Sequence, residues 1–342
     1  MSSSAFEKLS KEGFTNRPVT MDDLEAAVNL FNAFSLATIG VKESRVKDIG
    51  NEWQTPGFEL DTATRIVLSP NGELVGYIEV WDVAKPPVHP WVWGCVHPDW
   101  ERQGIGTSLM TWSQARARQA IAEVPENARV AMYCDTVSTH EPSKRLLEGL
   151  GIQLIRHFWQ MVIELDSRPP APQWPEGITL RMYNHDQDAE AVYRAVNEAF
   201  RDHWGYVEQP FEQSFQRWLH FAINHQDYDP TLWFLAMDGD EIAGVARSRP
   251  RSDEDPEMGW VSVLCVRQPW RGKGLGLALL QHTFSEFHHR GKRRAGLGVD
   301  AQNLTGATRL YEKAGMHVQR QYDTYKLELR SGVELRTETS YG

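Results

Sequence analysis

Residues 261–276 read VSVLCVRQPWRGKGLG, and residues 91–106 read WVWGCVHPDWERQGIG. A shift of 170 positions places Cys95 on Cys265, Val96 on Val266, Trp100 on Trp270, and Gly104 and Gly106 on Gly274 and Gly276. Solenoid repeats recur every few tens of residues, so this spacing implies two whole domains in tandem. Each copy is an apolar run entering a glycine-rich turn, the pattern of a strand that hands over to a helix.

The boundary between the copies is written in prolines. Asp166 to Glu176, DSRPPAPQWPE, holds four of them, and proline lacks the N–H that a sheet or helix requires. Before it RHFWQMVIEL ends at Leu165; in the second copy RQYDTYKLEL ends at Leu329. Both read as closing strands. The expected organisation is a first domain over 1–165, a linker over 166–176, a second domain over 177–330 and a tail over 331–342.

Length agrees, since 342 residues correspond to about two domains at roughly 150 residues each. The 41% hydrophobic share and 13 tryptophans exclude a wholly disordered chain. No apolar run approaches the roughly 20 residues that span a bilayer. The opening MSSSAFEKLSKEG has no hydrophobic segment of the signal-peptide kind, so a cytoplasmic, membrane-free protein is expected. A net charge of −10 disfavours nucleic acid, whose phosphates need a positive field, and favours a cationic partner. Three cysteines make no disulfide framework. Cys95 and Cys265, at equivalent strand positions, read as small core residues rather than reactive thiols.

In the second copy Ile178–Met182 reads as a strand and 186–200 as a helix. The runs 231–237 and 241–248 are strands joined by Asp238-Gly239, a hairpin signal that Ser69 to Gly72 repeats in the first copy. Gly259–Val266 is a strand; the helix after the turn carries Leu277, Leu280, Phe284 and Phe287 as an apolar stripe. A strand over 295–299, a helix over 305–314 ended by Gly315, and a strand over 322–329 complete the domain. The fold class is mixed α/β.

Arg271-Gly272-Lys273-Gly274-Leu275-Gly276 sets bare backbone at the start of a helix, where unpaired N–H groups and the helix dipole favour an anion. The spacing is neither that of a P-loop nor that of the dinucleotide fingerprint. A tight strand-to-helix turn without a ligand is the structural alternative.

The order strand, Arg-x-x-Gly-x-Gly, helix, strand, then Asn303 and Tyr311 in VDAQNLTGATRLYEKAGM, resembles the GNAT family of N-acetyltransferases. The resemblance covers nearly all of 178–329 and, more weakly, about 15–165, and the pairing is similar to that of tandem two-GNAT enzymes. It implies two GNAT-like domains, each a mixed, mostly antiparallel sheet flanked by helices. It implies acetyl-CoA as co-substrate, its pyrophosphate on the backbone of Arg271, Gly272, Lys273, Gly274, Leu275, Gly276 and Leu277. The pantetheine arm would pair with strand backbone at Leu264, Cys265 and Val266 and touch Asn303. The reaction implied is direct attack by the primary amine of a small, cationic acceptor on the thioester, with no metal.

Tyr311 is then the candidate acid for the departing thiolate, since a free phenol and a thiol have pKa values of about 10 and 8.5, and an amide near Val266 the candidate oxyanion donor. A core aromatic at Tyr311 and a cap or turn residue at Asn303 are the alternatives. The strand before the turn carries no carboxylate; Glu257, just upstream in an acidic run, is the candidate base or amine attractor, with a solvated loop as the alternative. His203, Trp204 and Tyr206 lie where the acceptor pocket is expected.

The first copy departs from this pattern. Glu101 stands for Arg271, Leu147 for Tyr311, and the asparagine position falls near Ser138, so the first domain is expected to be degenerate and the second catalytic. A coenzyme-A-responsive binding module without turnover, and an acyltransferase for a longer acyl chain, are the rival functions.

Overall fold

Near-continuous burial marks Leu74–Trp81 and Trp233–Asp238 as strands covered on both faces, and Gly72 and Gly239 at positive φ turn the chain beside them. The computed structural model describes residues 5–303 and 306–337. Its strands are β1 (Thr15–Arg17), β2 (Thr64–Leu68), β3 (Leu74–Trp81), β4 (Trp91–Val96), β5 (Val130–Val137), β6 (Gln153–Glu164), β7 (Ile178–Met182), β8 (Trp233–Asp238), β9 (Glu241–Arg249), β10 (Met258–Val266), β11 (Arg294–Asp300) and β12 (His317–Arg330). The hairpin expected at Asp238-Gly239 joins β8 to β9, with Gly239 at φ 57°. Among the described residues no helix is long and apolar enough to cross a membrane.

The chain divides into two compact units that do not coincide with the two sequence repeats. Among the described residues, unit 1 gathers 5–156, 209–225 and 322–335; unit 2 gathers 157–208, 226–303, 306–321 and 336–337. In unit 1 the strand order is β1-β2-β3-β4-β5-β12, and in unit 2 it is β6-β11-β10-β9-β8-β7. Each repeat's closing strand therefore serves the other unit. β12 lies antiparallel to β5, from Tyr322↔Val137 to Arg330↔Val130. β6 lies antiparallel to β11, from Arg294↔Glu164 to Asp300↔Phe158. The proline-rich stretch 166–176 lies between β6 and β7 inside unit 2, and composition carries no information on which sheet a closing strand enters.

A second element crosses the repeat boundary. The helix Phe211–Ile223, unread in the sequence, belongs to unit 1. There Phe221 lies 6.1 Å from the ring of Trp81, and the His220 Nε2 is 2.7 Å from the Asn51 carbonyl oxygen. Its spacing of Phe211, Phe215, Trp218, Ala222 is legible as an amphipathic helix.

In unit 2 the helix Leu275–His289 lays Leu275, Leu279, Leu280, Phe284 and Phe287 onto Phe234, Ala236, Ala243, Ala246, Val261 and Leu297, with Met161 of β6 in the same core. Trp174 of the proline-rich segment packs against that core as well. The sequence stripe had Leu277 in place of Leu275 and Leu279; Leu277 is only half-buried. The stretch 331–335 belongs to unit 1, where Val333 exchanges backbone hydrogen bonds with Asn127 and Arg129. The expected helix start at residue 305 lies outside the described residues, and the helix runs Ala307–Lys313.

The exchange of closing strands makes a directional prediction. Tyr325→Ala empties a fully buried site on β12 and is expected to cost about 3–5 kcal/mol in unit 1, although Tyr325 belongs to the second repeat. Met161→Ala, also fully buried, is expected to cost about 2–5 kcal/mol in unit 2. Hydrogen exchange resolved by peptide checks both: Tyr325→Ala should deprotect β2 to β5, and Met161→Ala β8 to β11.

Candidate functional site

Both units are built around a pair of parallel strands that pair briefly and then part. β10 and β11 are in register only from Met258↔Arg294 to Val261↔Leu297. Between Val261 and Val263 the pairing of β10 with β9 slips by one residue, a bulge that bends the strand away. Beyond it the β10 edge facing β11 has no ladder partner. The Arg267 amide donates to the Ala243 carbonyl on β9 at 2.9 Å, and backbone groups alternate sides along a strand. The amides of Leu264 and Val266 therefore face the fork, as the expected pantetheine pairing requires, and that of Cys265 faces β9.

At the mouth of the fork the chain turns into the helix Leu275–His289. Pro269 opens a short 3₁₀ turn at Gln268–Trp270, and the Trp270 indole N–H donates to Asp238 at 2.8 Å, fixing the turn to the β8–β9 hairpin. Gly274 caps the helix at φ 86°, a left-handed conformation that any side chain would strain. At Gly276 an added Cβ would sit 3.1 Å from Leu310 Cδ1. Among the described residues no acceptor pairs with the amides of 272–276. They converge with the helix dipole on open space, as an anion site does.

Arg271 faces away from that space. Its guanidinium donates to the Val266 carbonyl (3.0 Å), the Ala199 carbonyl (2.7 Å) and the Asp202 carboxylate. Burial works to raise Asp202, but the hydrogen bond and charge of Arg271 hold it below the ordinary carboxylate range. The arginine thus braces strand, turn and the helix His185–Ala199, and its own amide donates to the Gln268 carbonyl at 3.2 Å, outside the unpaired row. Lys273 is exposed beside the row.

Tyr311 lies on the helix Ala307–Lys313, 8% exposed, within the core of unit 2. The neighbouring Leu310 is the residue that crowds Gly276, so this helix abuts the turn. Burial pushes the phenol up to about 12, with the Cys265 sulfur adding to the shift. The Cys265 thiol is itself pushed up to about 12 by burial, against a backbone hydrogen bond from Val245 and the charge of Arg271. Such a thiol is protonated and inert, in line with its reading as a core residue. Asn303 is half-buried in the loop after β11, its amide donating to the Asp300 carbonyl at 3.0 Å.

Glu257 is not brought to this place. It precedes β10 at the end opposite the turn, roughly 30 Å along the strand at about 3.3 Å per residue. Its side chain is 62% exposed and 3.9 Å from Arg293, the solvated alternative. The His203 imidazole is held below its usual range by burial; Trp204 carries Arg336 over its ring at 5.3 Å.

Two charged positions escape a sequence reading because only register reveals them. Arg247, paired with Val263 at the bulge, is half-buried over the Trp233 ring at 5.4 Å; desolvation and then the charge of Arg249 push it down to about 10. Its counterpart in unit 1 is Glu79, paired with Trp93. Unit 1 repeats the fork: β4 and β5 pair only at Trp91↔Tyr133 and Val92↔Cys134. A cavity of about 440 Å³ runs from Arg102, Gly104 and Gly106 in the turn to Tyr77, Cys95 and Asp135 in the fork. The amides of 102–106 likewise have no acceptor among the described residues. Glu101 sits 3.6 Å from His140, and buried Leu147 stands in the Tyr311 position.

Comparison with known proteins agrees with this architecture. The sequence pattern of the Acetyltransferase (GNAT) family matches residues 25–152 and again 189–316. A mycothiol acetyltransferase of Streptomyces scabiei is 30% identical over 81% of this chain and 82% of its own. The crystal structure of a GCN5-related N-acetyltransferase from Sphaerobacter thermophilus is 34% identical and superimposes with a TM-score of 0.77 over 96% of this chain and 99% of that one. A tandem GNAT protein from the clavulanic acid biosynthesis pathway, 16% identical, shares the fold at a TM-score of 0.67, covering 94% of this chain and 100% of that one. With two family matches, two forks and two glycine turns, the chain belongs to the GNAT acetyltransferase family.

Proposed function

We propose that unit 2 moves an acetyl group from acetyl-CoA to the primary amine of a small acceptor by direct attack. One observation carries this reading: the row of unpaired amides over 272–276, at the mouth of a fork whose free edge offers the amides of Leu264 and Val266. The row suits the donor's pyrophosphate, and the strand edge suits the amide groups of its pantetheine arm. The thioester then comes to rest beside the bulge, where an N–H of the free edge can hold the oxyanion; such preorganised donors are worth several kcal/mol.

The amine nitrogen attacks the carbonyl carbon, the C–S bond breaks, and the electron pair leaves on sulfur. Tyr311 supplies the proton. A phenol at about 12 is a weak acid toward a thiol in water, but the local measure of a thiol here is Cys265, itself raised to about 12. In this dry surrounding phenol and thiolate hold a proton with similar strength, so the transfer runs close to level. Asn303 fits a contact with the donor arm. Glu257 has no part in this scheme, and the acceptor's proton passes to solvent.

The acceptor's chemistry is set at the bulge rather than by the net charge of −10. Arg247 places a half-buried cation there, so a neutral amine is favoured over an ammonium in the attacking position. Acceptors of the class that gives mycothiol acetyltransferases their name belong in the panel that tests it.

Tyr311→Phe is expected to leave acetyl-CoA affinity within about twofold and to lower turnover about 10²- to 10⁴-fold, read by calorimetry and by thiol release. Because burial keeps the phenol protonated up to about 12, the unmodified protein should show no alkaline loss of turnover from Tyr311 below that range. A limb near pH 10 that disappears in Tyr311→Phe would contradict it. Gly276→Val, which presses a branched side chain on Leu310 and covers the amide row, is expected to weaken acetyl-CoA binding to unit 2 at least tenfold. Binding unchanged by Gly276→Val would remove the amide row from the donor site.

A further inference from the structure

We infer that unit 1 is a second acyl-transfer centre, in which Asp135 takes the proton of a primary amine attacking a thioester held between β4 and β5. This goes beyond the reading of unit 2 and rests on different residues.

The fork of unit 1 is open along its length. The His97 amide donates to the Val75 carbonyl on β3 at 2.9 Å, so by alternation the amides of Gly94 and Val96 face the fork. The cavity continues from them to the unpaired amides of the turn. Arg102 and Arg145 line it near the turn together with Glu101 and Glu141, and Asp135 lines it at the fork. The unpaired amides and the two guanidiniums suit a donor's phosphates, and the carboxylate at the fork suits an amine acceptor.

Asp135 occupies the position where chemistry would occur. Cys134 is the last residue of β5 paired with β4, and Asp135 is the next. Its carboxylate accepts from the Thr324 hydroxyl at 2.5 Å. Asp135 is exposed at the cavity wall, and desolvation by the surrounding protein pushes its carboxyl up to about 6 while that hydrogen bond pulls it back, which brings it near the pH at which a general base works best. A second carboxylate stands on the same sheet face. Glu79 is 6% exposed, and the Tyr77 hydroxyl donates to it at 2.6 Å; Tyr77 pairs with Cys95, and both line the cavity. Burial raises Glu79, against the hydrogen bonds of Tyr77 and Trp81.

The fold does not require either acid. Two residues past Leu297, the last β11 residue paired with β10, stands buried Val299; Asp135 is two past Tyr133, whose pairing with Trp91 matches that of Leu297 with Val261. Glu79 is matched by Arg247, since Trp93 and Val263 are their equivalent partners. Burying a carboxylate costs free energy that an apolar residue would not. Unit 1 bears that cost at buried Glu79, behind Tyr77, while Asp135, in the place of buried Val299, is an exposed carboxylate that lines the cavity.

The step balances without a further reactant. The amine nitrogen bonds to the carbonyl carbon, its N–H proton goes to Asp135, the C–S bond breaks, and the electron pair leaves on sulfur. Leu147 cannot supply a proton, so the thiolate is protonated by water, a modest demand for a thiol with a pKa of about 8.5.

The test uses the full chain with unit 2 silenced twice, by Tyr311→Phe and Gly276→Val. Acetyl-CoA is offered with glucosamine, spermidine and lysine between pH 5 and 9, and thiol release and the acetylated amine are both measured. The inference expects residual turnover that rises with pH through about 6 and levels off. Adding Asp135→Asn, which keeps the contact with Thr324, should lower it at least tenfold and flatten the rise. Asp135→Glu should restore part of it, with acetyl-CoA binding and melting temperature unchanged in both. No residual turnover with any amine, turnover indifferent to Asp135→Asn, or a loss that follows donor binding or melting temperature would each overturn it.

Discussion

Everything in this protein depends on backbone that the fold leaves unpaired. A strand buried in a sheet normally satisfies each N–H and C=O through its neighbours, and an orphaned buried group costs about as much as a lost hydrogen bond. Here two parallel strands keep company for only a few residues before a bulge turns one aside. The groups so released face a cleft, and the next turn adds amides of its own at the start of a 15-residue helix. The cost is recovered only by water or by a long ligand carrying its own acceptors at matching intervals. Side chains then have two tasks: to hold the fork open, as Arg271 does by tying Val266 to Ala199 and Asp202, and to tune the chemistry at its vertex.

The sequence makes the turn legible because it is local. Gly274 needs a positive φ, Pro269 opens the preceding turn, and the apolar stripe of the following helix appears within a single window. Tyr311 and Asn303 are legible only through their order after the turn, which a resemblance to a family supplies and periodicity does not. The exchanged strands are not legible. RHFWQMVIEL and RQYDTYKLEL have the same pattern, and nothing within either says whether it pairs with Val130–Val137 or with Arg294–Asp300. Pairing is a long-range choice, fixed by which edge remains free when each strand arrives. Glu257 precedes β10 at the end away from the glycine turn, exposed near Arg293, and nearness in sequence to a strand does not bring a side chain to the strand's other end.

Global charge proves a poor guide to local charge. A chain at −10 suggests acidic clefts throughout, yet the bulge of unit 2 faces Arg247 and the equivalent place in unit 1 faces Glu79. Exchanging a guanidinium for a carboxylate at one register position reverses the potential felt by an incoming amine. Duplicated folds can diverge in this way without altering their frame, because the frame is held by main-chain pairing and the apolar faces of the helices Ile105–Ala117 and Leu275–His289.

Tyr311, the acid proposed for unit 2, illustrates how burial tunes two partners at once. Taken alone, raising a phenol to about 12 makes it a poorer proton donor, and the usual comparison with a thiol in water would count against Tyr311. The relevant thiolate, however, forms in the same desolvated place, where its own charge is equally unwelcome. Cys265 shows the size of that effect on a sulfur close by, and it is raised to about 12 as well. What governs the transfer is the difference between two shifted affinities, and that difference stays small when one cause moves both. In the proposed reaction, lifting the phenol therefore keeps it protonated across the working range while leaving it matched to the departing sulfur.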